Sequence, residues 1–204
     1  MAASTRRGQP GRIFGDMRES DTIGIGPTKG ENAQAREQAV LIGRVQVLYA
    51  LSQQYLFLPF SALCMAASLV HRQIPVAIAS LPLILQFVAS VAASRLKAAY
   101  ERDENGDPYI WARRHMLMSG VIGSIWGLGA IVWFVPGSFP AQAYLCLAFL
   151  GMSATEFVSR AGYRPSYIAH TVPSLGPLGL MLFYEGTLYS MMASILVLFF
   201  GGVL

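Results

Sequence analysis

The chain of 204 residues is 54% apolar and 13% charged, with a formal net charge of +4. Soluble domains carry about 25% charged residues, so this composition excludes an ordinary globular protein and points to the bilayer as solvent. The basic excess does not imply a nucleic-acid partner, because nearly every Lys and Arg flanks an apolar run, where it sets topology and meets anionic headgroups.

Residues 1–38 are rich in Gly, Ser, Thr, Arg and acids, with no apolar cluster to bury. That composition predicts a disordered cytoplasmic arm. Arg6 and Arg7 superficially match a twin-arginine export signal, but no apolar segment follows at the required distance, so the signal-peptide reading is rejected. From Ala33 to Tyr49, Val40, Ile42, Val45 and Val47 alternate with Arg36, Glu37, Gln38 and Arg44. The mixture suits a helix lying at the headgroups and running into the first span.

Six apolar runs follow, at about 46–70, 74–93, 116–135, 141–159, 167–183 and 188–204. A helix needs about 20 residues to cross a hydrocarbon core of about 30 Å, and each run is sized for one crossing. Continuous apolarity, with no alternation, selects helices over a β-barrel. The expected fold is therefore an all-α polytopic membrane protein. Of the fifteen basic residues only Arg72 falls between spans one and two, four and three, or five and six. The positive-inside rule then places both chain ends in the cytoplasm. The connections on the opposite side, His71 to Gln73, Pro136 to Pro140 and Glu185 to Gly186, leave no room for an external domain.

The connection from Arg95 to Arg114 holds Glu101, Asp103, Glu104 and Asp107. Their spacing lacks the twelve-residue calcium-loop pattern, whereas Asn105, Gly106, Asp107 and Pro108 are strong turn formers. A solvated helical hairpin is expected there. Cys64 and Cys146 lie inside predicted spans and read as small packing residues.

In span three, Ser119, Gly123 and Gly127 recur every fourth residue, a stripe that lets two helix backbones approach closely. The same stripe suits another span of this chain or a second copy of it. Trp111, Trp126, Trp133, Tyr109, Tyr144 and Tyr163 gather largely at span ends, as interfacial anchors do. Glu156 lies one turn before Arg160, close enough for a local ion pair. The alternative is a polar pocket in which Glu156 and His170 join Thr155, Ser159 and Tyr167, with histidine able to titrate near neutral pH. A haem held by paired histidines is disfavoured, because His71 lies on the side opposite His115 and His170. Pro173 and Pro177 are placed to kink span five near Gly176, but no paired broken helices or mid-membrane carboxylate support transport. No nucleophile, metal cluster or phosphate loop is present in the sequence, so neither catalysis nor a cofactor is expected.

The segments RRHMLMSGVIGSIWGLGAIVWFVP and LAFLGMSATEFVSRAGYRPSYIAHTVPSLGPLGLMLFYEG carry a resemblance over roughly residues 40 to 204. The chain resembles the N-terminal six-span membrane region of bacterial GGDEF/EAL-type cyclic-di-GMP signalling proteins and related sensor histidine kinases. The matching positions are Gly120, Gly123, Trp126 and Gly127 in span three, Gly151 in span four, and Tyr163, Pro165 and Tyr167 at the entry to span five. Pro173, Pro177, Glu185 and Gly186 complete the set. The resemblance implies a membrane sensor or anchor module in the bacterial inner membrane, passing a signal to a cytoplasmic output domain. No GGDEF or EAL signature, phosphoacceptor box or coiled-coil linker occurs before Leu204, so that output is expected beyond these residues. The resemblance and the small-residue stripe together admit a homodimer. A second expectation is a non-catalytic accessory subunit packed against a larger respiratory or photosynthetic complex.

Overall fold

The computed structural model describes residues 29–50, 61–66, 75–103, 106–160 and 163–203. Its regular elements are α1 (Lys29–Ala50), α2 (Val76–Arg102), α3 (Pro108–Trp133), α4 (Phe139–Arg160), α5 (Arg164–Glu185) and α6 (Leu188–Val203), with a further helical segment at 61–66. Among the described residues no strand occurs.

Local chemistry sets the boundaries. Pro75 precedes α2, where its missing N–H costs the helix nothing. Asp107 caps α3, its carboxylate accepting the Tyr109 N–H at 2.8 Å, and Pro108 follows at the first helical position. Gly186 ends α5 with φ of 72°, the left-handed conformation that glycine adopts without penalty. In the α2–α3 turn Asp103 accepts the Trp111 indole N–H at 3.1 Å, and a Cβ on Gly106 would collide with both groups. Only glycine fits there.

Helix α1 begins at Lys29, so residues 29–38, read by composition as arm and from Ala33 onward as the start of a headgroup helix, are helical throughout. The segment is dominated by Ala, Glu, Gln and Arg, good helix formers, and contains no proline. The rest of the predicted arm, residues 1–28, lies outside the described residues.

Among the described residues three helices are long and apolar enough to cross a membrane: α2, α3 and α4 as far as Val158. Helix α5 has the length, with 22 residues, but Ser166, Tyr167, His170, Thr171 and Ser174 dilute its apolarity. Helix α6 has 16 residues, short of the about 20 that a perpendicular crossing needs. Of the first predicted span, residues 51–60 and 67–70 lie outside the described set.

Helix α3 is the centre of the bundle, packed against α5 over its length and against α1 and α2 on other sides. Helices α3 and α5 run parallel: Ser119 meets Ser166, Gly123 meets His170 and Gly127 meets Pro173. Helix α2 runs the opposite way, since Trp133 at the end of α3 donates its indole N–H to the Ala79 carbonyl at the start of α2 (2.9 Å). Helix α6 returns antiparallel along α5, with Ser194 donating to the Gly179 carbonyl at 2.8 Å and Gly201 lying beside Thr171 and Leu175. The main core joins Ile122, Trp126, Phe149, Met152, Leu175, Leu178 and Leu182. Trp126 meets Phe149 edge-on, with ring centroids 5.1 Å apart. On the outside, Leu117, Val121, Leu147, Val172, Leu180 and Ile195 are all more than half exposed, an apolar surface that suits lipid rather than water.

Candidate functional site

The small-residue stripe of α3 is what allows a polar site to form. A Cβ at Gly123 would clash with the backbone of His170, and one at Gly127 with the Pro173 carbonyl. With both side chains reduced to hydrogen, α3 and α5 approach until backbone meets backbone. One turn earlier, the third member of the stripe, Ser119, is brought within hydrogen-bonding distance of Ser166 (2.7 Å). The stripe is thus engaged within the chain.

His115 completes this contact. Its Nδ1 lies 2.8 Å from Ser166 Oγ, and its carbonyl accepts the Ser119 hydroxyl at 2.8 Å. A hydroxyl has one proton to give. With Ser119 donating to the carbonyl, Ser166 must donate to Ser119, and His115 must donate from Nδ1 to Ser166. The one arrangement that satisfies these three contacts is a closed relay: His115 Nδ1–H to Ser166, Ser166 to Ser119, Ser119 back to the His115 carbonyl. The fourth contact, Ser119 Oγ 3.3 Å from His115 Nδ1, is longer and fits the same proton shared between the two hydroxyls. The relay assigns the Nδ1–H tautomer to His115 by the network. All three residues are buried.

Aromatic residues enclose the relay. The Tyr49 ring from α1 stands edge-on to His115, with centroids 5.2 Å apart, and stacks on Tyr100 of α2 at 4.2 Å. The Tyr49 hydroxyl donates to the Trp111 carbonyl at 3.2 Å, while the Arg114 guanidinium lies 4.6 Å from the Trp111 ring centroid. Tyr163, just before α5, packs on the same cluster. Four helices therefore converge at one end of the bundle, the end that also carries Arg102, Arg113, Arg114 and Arg164.

The polar interior continues beyond the relay. Glu156 on α4 and His170 on α5 are buried, to 2% and 0% exposure, as are Ser153, Tyr167, Thr171 and Ser174. The hydroxyls of Ser153, Tyr167, Thr171 and Ser174 find no hydrogen-bond partner among the described residues. Phe157 meets Tyr167 edge-on at 5.7 Å, which sets the level at which α4 and α5 pack. Of the predicted cluster, Glu156 and His170 are thus both interior; the side chain of Arg160 lies outside the described residues. Thr155 instead faces outward and donates to the Gly151 carbonyl at 3.0 Å.

The opposite end is tied by Glu185. Its carboxylate accepts the Gly137 N–H at 2.7 Å and the Gln142 side-chain amide, and Gln142 also donates to the Val135 carbonyl at 3.1 Å. Gly137 has φ of 74°, so the α3–α4 turn needs glycine there. One carboxylate thereby fastens that turn to the last residue of α5. The remaining motif positions are dispersed: Trp126 is in the core, Pro177 lies beside Gly127, and Gly151 and Pro165 are exposed.

Sequence reading missed Ser166 entirely and considered His115 only for haem. No signal in the sequence marks the pair: Ser166 stands 47 residues from Ser119, on a helix separated from α3 by a third. Among the described residues no three His, Cys, Asp or Glu side chains are grouped to hold a metal. No family model, curated protein or solved structure matches the chain.

Proposed function

We propose that the chain is the six-span membrane sensor or anchor module of a bacterial signalling protein, of the diguanylate cyclase, phosphodiesterase or histidine kinase type. It sits in the inner membrane with the arginine-bearing end in the cytoplasm. The observation that carries this reading is the buried relay of His115, Ser119 and Ser166 between two parallel helices. A bundle that served only as an anchor could fill this space with apolar side chains; a buried polar network whose members pair with one another instead specifies one packing of the two helices. A relay of this kind has few alternative arrangements, so a change in its protonation or contacts favours a different α3–α5 packing. Helix α6 lies directly on α5, through Gly179 against Leu198 and Gly201 against Thr171, and would carry that movement towards a cytoplasmic output domain.

The test is signalling output in the native bacterium. Membrane levels of the protein are matched between native and Ser166→Ala or Glu156→Gln strains, and cyclic-di-GMP and response-regulator phosphorylation are measured. A change of threefold or more in either output supports the sensor reading. Output indifferent to both substitutions removes it. Recovery of the native protein with stoichiometric respiratory or photosynthetic subunits would assign the accessory role instead.

A further inference from the structure

An open groove of about 600 Å³ runs between α3 and α5, lined by Leu117, Gly120, Ser124, Leu128, Ala169 and Pro173. Its walls are apolar apart from Ser124, whose hydroxyl is turned inward to the Gly120 carbonyl at 2.8 Å. From Leu117 to Leu128 the groove extends for eleven residues of helix, about 17 Å, close to one leaflet of a hydrocarbon core of about 30 Å.

The charge at one end selects the occupant. Arg113 lies four residues before Leu117, on the same helix stripe, and is exposed. One turn further, Tyr109 lines a second depression with Arg36 and Arg44 of α1, together with Glu37. Arg164 opens α5 level with Leu117 by the Ser119–Ser166 register, but at about 100° per residue it lies on the side of α5 away from Ala169 and Pro173 and takes no part in the groove. The face is therefore cationic at one end and apolar for the depth of one leaflet, the complement of an anionic phospholipid.

We infer that this groove binds one anionic glycerophospholipid, with an acyl chain along Leu117 to Leu128 and the phosphate at Arg113. The inference rests on the membrane-spanning reading. Because α3 and α5 form the groove walls, the lipid bridges the same helix pair that the relay joins, and its headgroup stands beside the relay end of the bundle.

The full chain is reconstituted in nanodiscs of equal phosphatidylglycerol and phosphatidylcholine, released into mild detergent and weighed by native mass spectrometry. The expected result is one retained phosphatidylglycerol per chain, at least fivefold over phosphatidylcholine. Arg113→Gln should lower that preference threefold or more, Arg113→Lys should preserve it, and Gly120→Leu should exclude both lipids. Equal retention of the two lipids, or no effect of Arg113→Gln, overturns the inference. So does displacement by inorganic phosphate alone, which marks an ion site, or a chain dimer that persists without lipid, which marks a protein interface. Protein absent from membrane fractions would overturn the spanning reading itself, whereas embedded protein without lipid preference overturns only the groove assignment.

Discussion

The backbone of His170 rests directly against Gly123, with no room between them for a methyl group. This contact fixes the spacing of α3 and α5, and everything polar between those helices depends on it. Replacing Gly123 with Ala should push the helices apart and cost about 1–3 kcal/mol, the usual penalty of overpacking. Gly120 is the control, because a Cβ there would meet only the Ala169 carbonyl at 3.6 Å. Thermal unfolding in detergent should show a clear loss for Gly123→Ala and almost none for Gly120→Ala; equal effects would contradict this packing.

Removing the Ser166 hydroxyl takes one hydrogen-bond partner from His115 Nδ1, which still lies 3.3 Å from Ser119 Oγ, and one from Ser119, in a buried site. Ser166→Ala should therefore lower stability by about 1–2 kcal/mol, more than the average interhelical hydrogen bond in a membrane protein of about 0.6 kcal/mol. Because Ser119 and Ser166 share one network, their effects should not add. A double-mutant cycle with Ser119→Ala should give a coupling of about 0.5 kcal/mol or more, and strict additivity would dissolve the relay.

The relay also specifies a tautomer. In protein labelled with nitrogen-15 at histidine, neutral His115 should carry its proton on Nδ1, the less common form for an unconstrained imidazole. A spectrum showing Nε2–H alone for His115 would break the closed relay, since Ser166 could not then serve both of its neighbours.

The helix bounds were largely legible because each signal is local: Asn105 to Pro108 announced the α2–α3 turn, and Gly186 the end of α5. Apolar run length likewise placed α2, α3 and α4. The stripe of Ser119, Gly123 and Gly127 announced a close helix contact, but period alone carries no information on which helix fills it. Its partner lies on α5, past the intervening α4, and nothing around Ser166 distinguishes it from the other serines of the chain. Glu156 and His170 were visible because ionisable groups are rare in apolar runs. Tyr49 was not, because a tyrosine near a span end reads as an interfacial anchor, whereas here it is stacked on Tyr100 and set against His115. At Lys29 the low apolarity of the arm concealed a run of good helix formers.

At the other end, Glu185 accepts from two donors on a neighbouring turn. Glutamine at 185 would set an N–H₂ group against one of those donors, so Glu185→Gln should destabilise by about 1 kcal/mol, a value held down by the partial exposure of the site. The check is again thermal unfolding, with Glu185→Asp as a second variant that keeps the charge but shortens the reach. A Glu185→Gln protein as stable as the native one would show that the turn is held by Gly137 and Gln142 without the carboxylate.

The central claim is that the bundle crosses the membrane with its arginine-bearing end, and the relay beside it, towards the cytoplasm. In a background with Cys64→Ala and Cys146→Ala, single cysteines at Arg102 and Pro136 can be labelled with a membrane-impermeant maleimide on spheroplasts. The account predicts labelling of Pro136→Cys in intact spheroplasts and of Arg102→Cys only after permeabilisation. Reversed labelling, or equal labelling of both positions before permeabilisation, would contradict it.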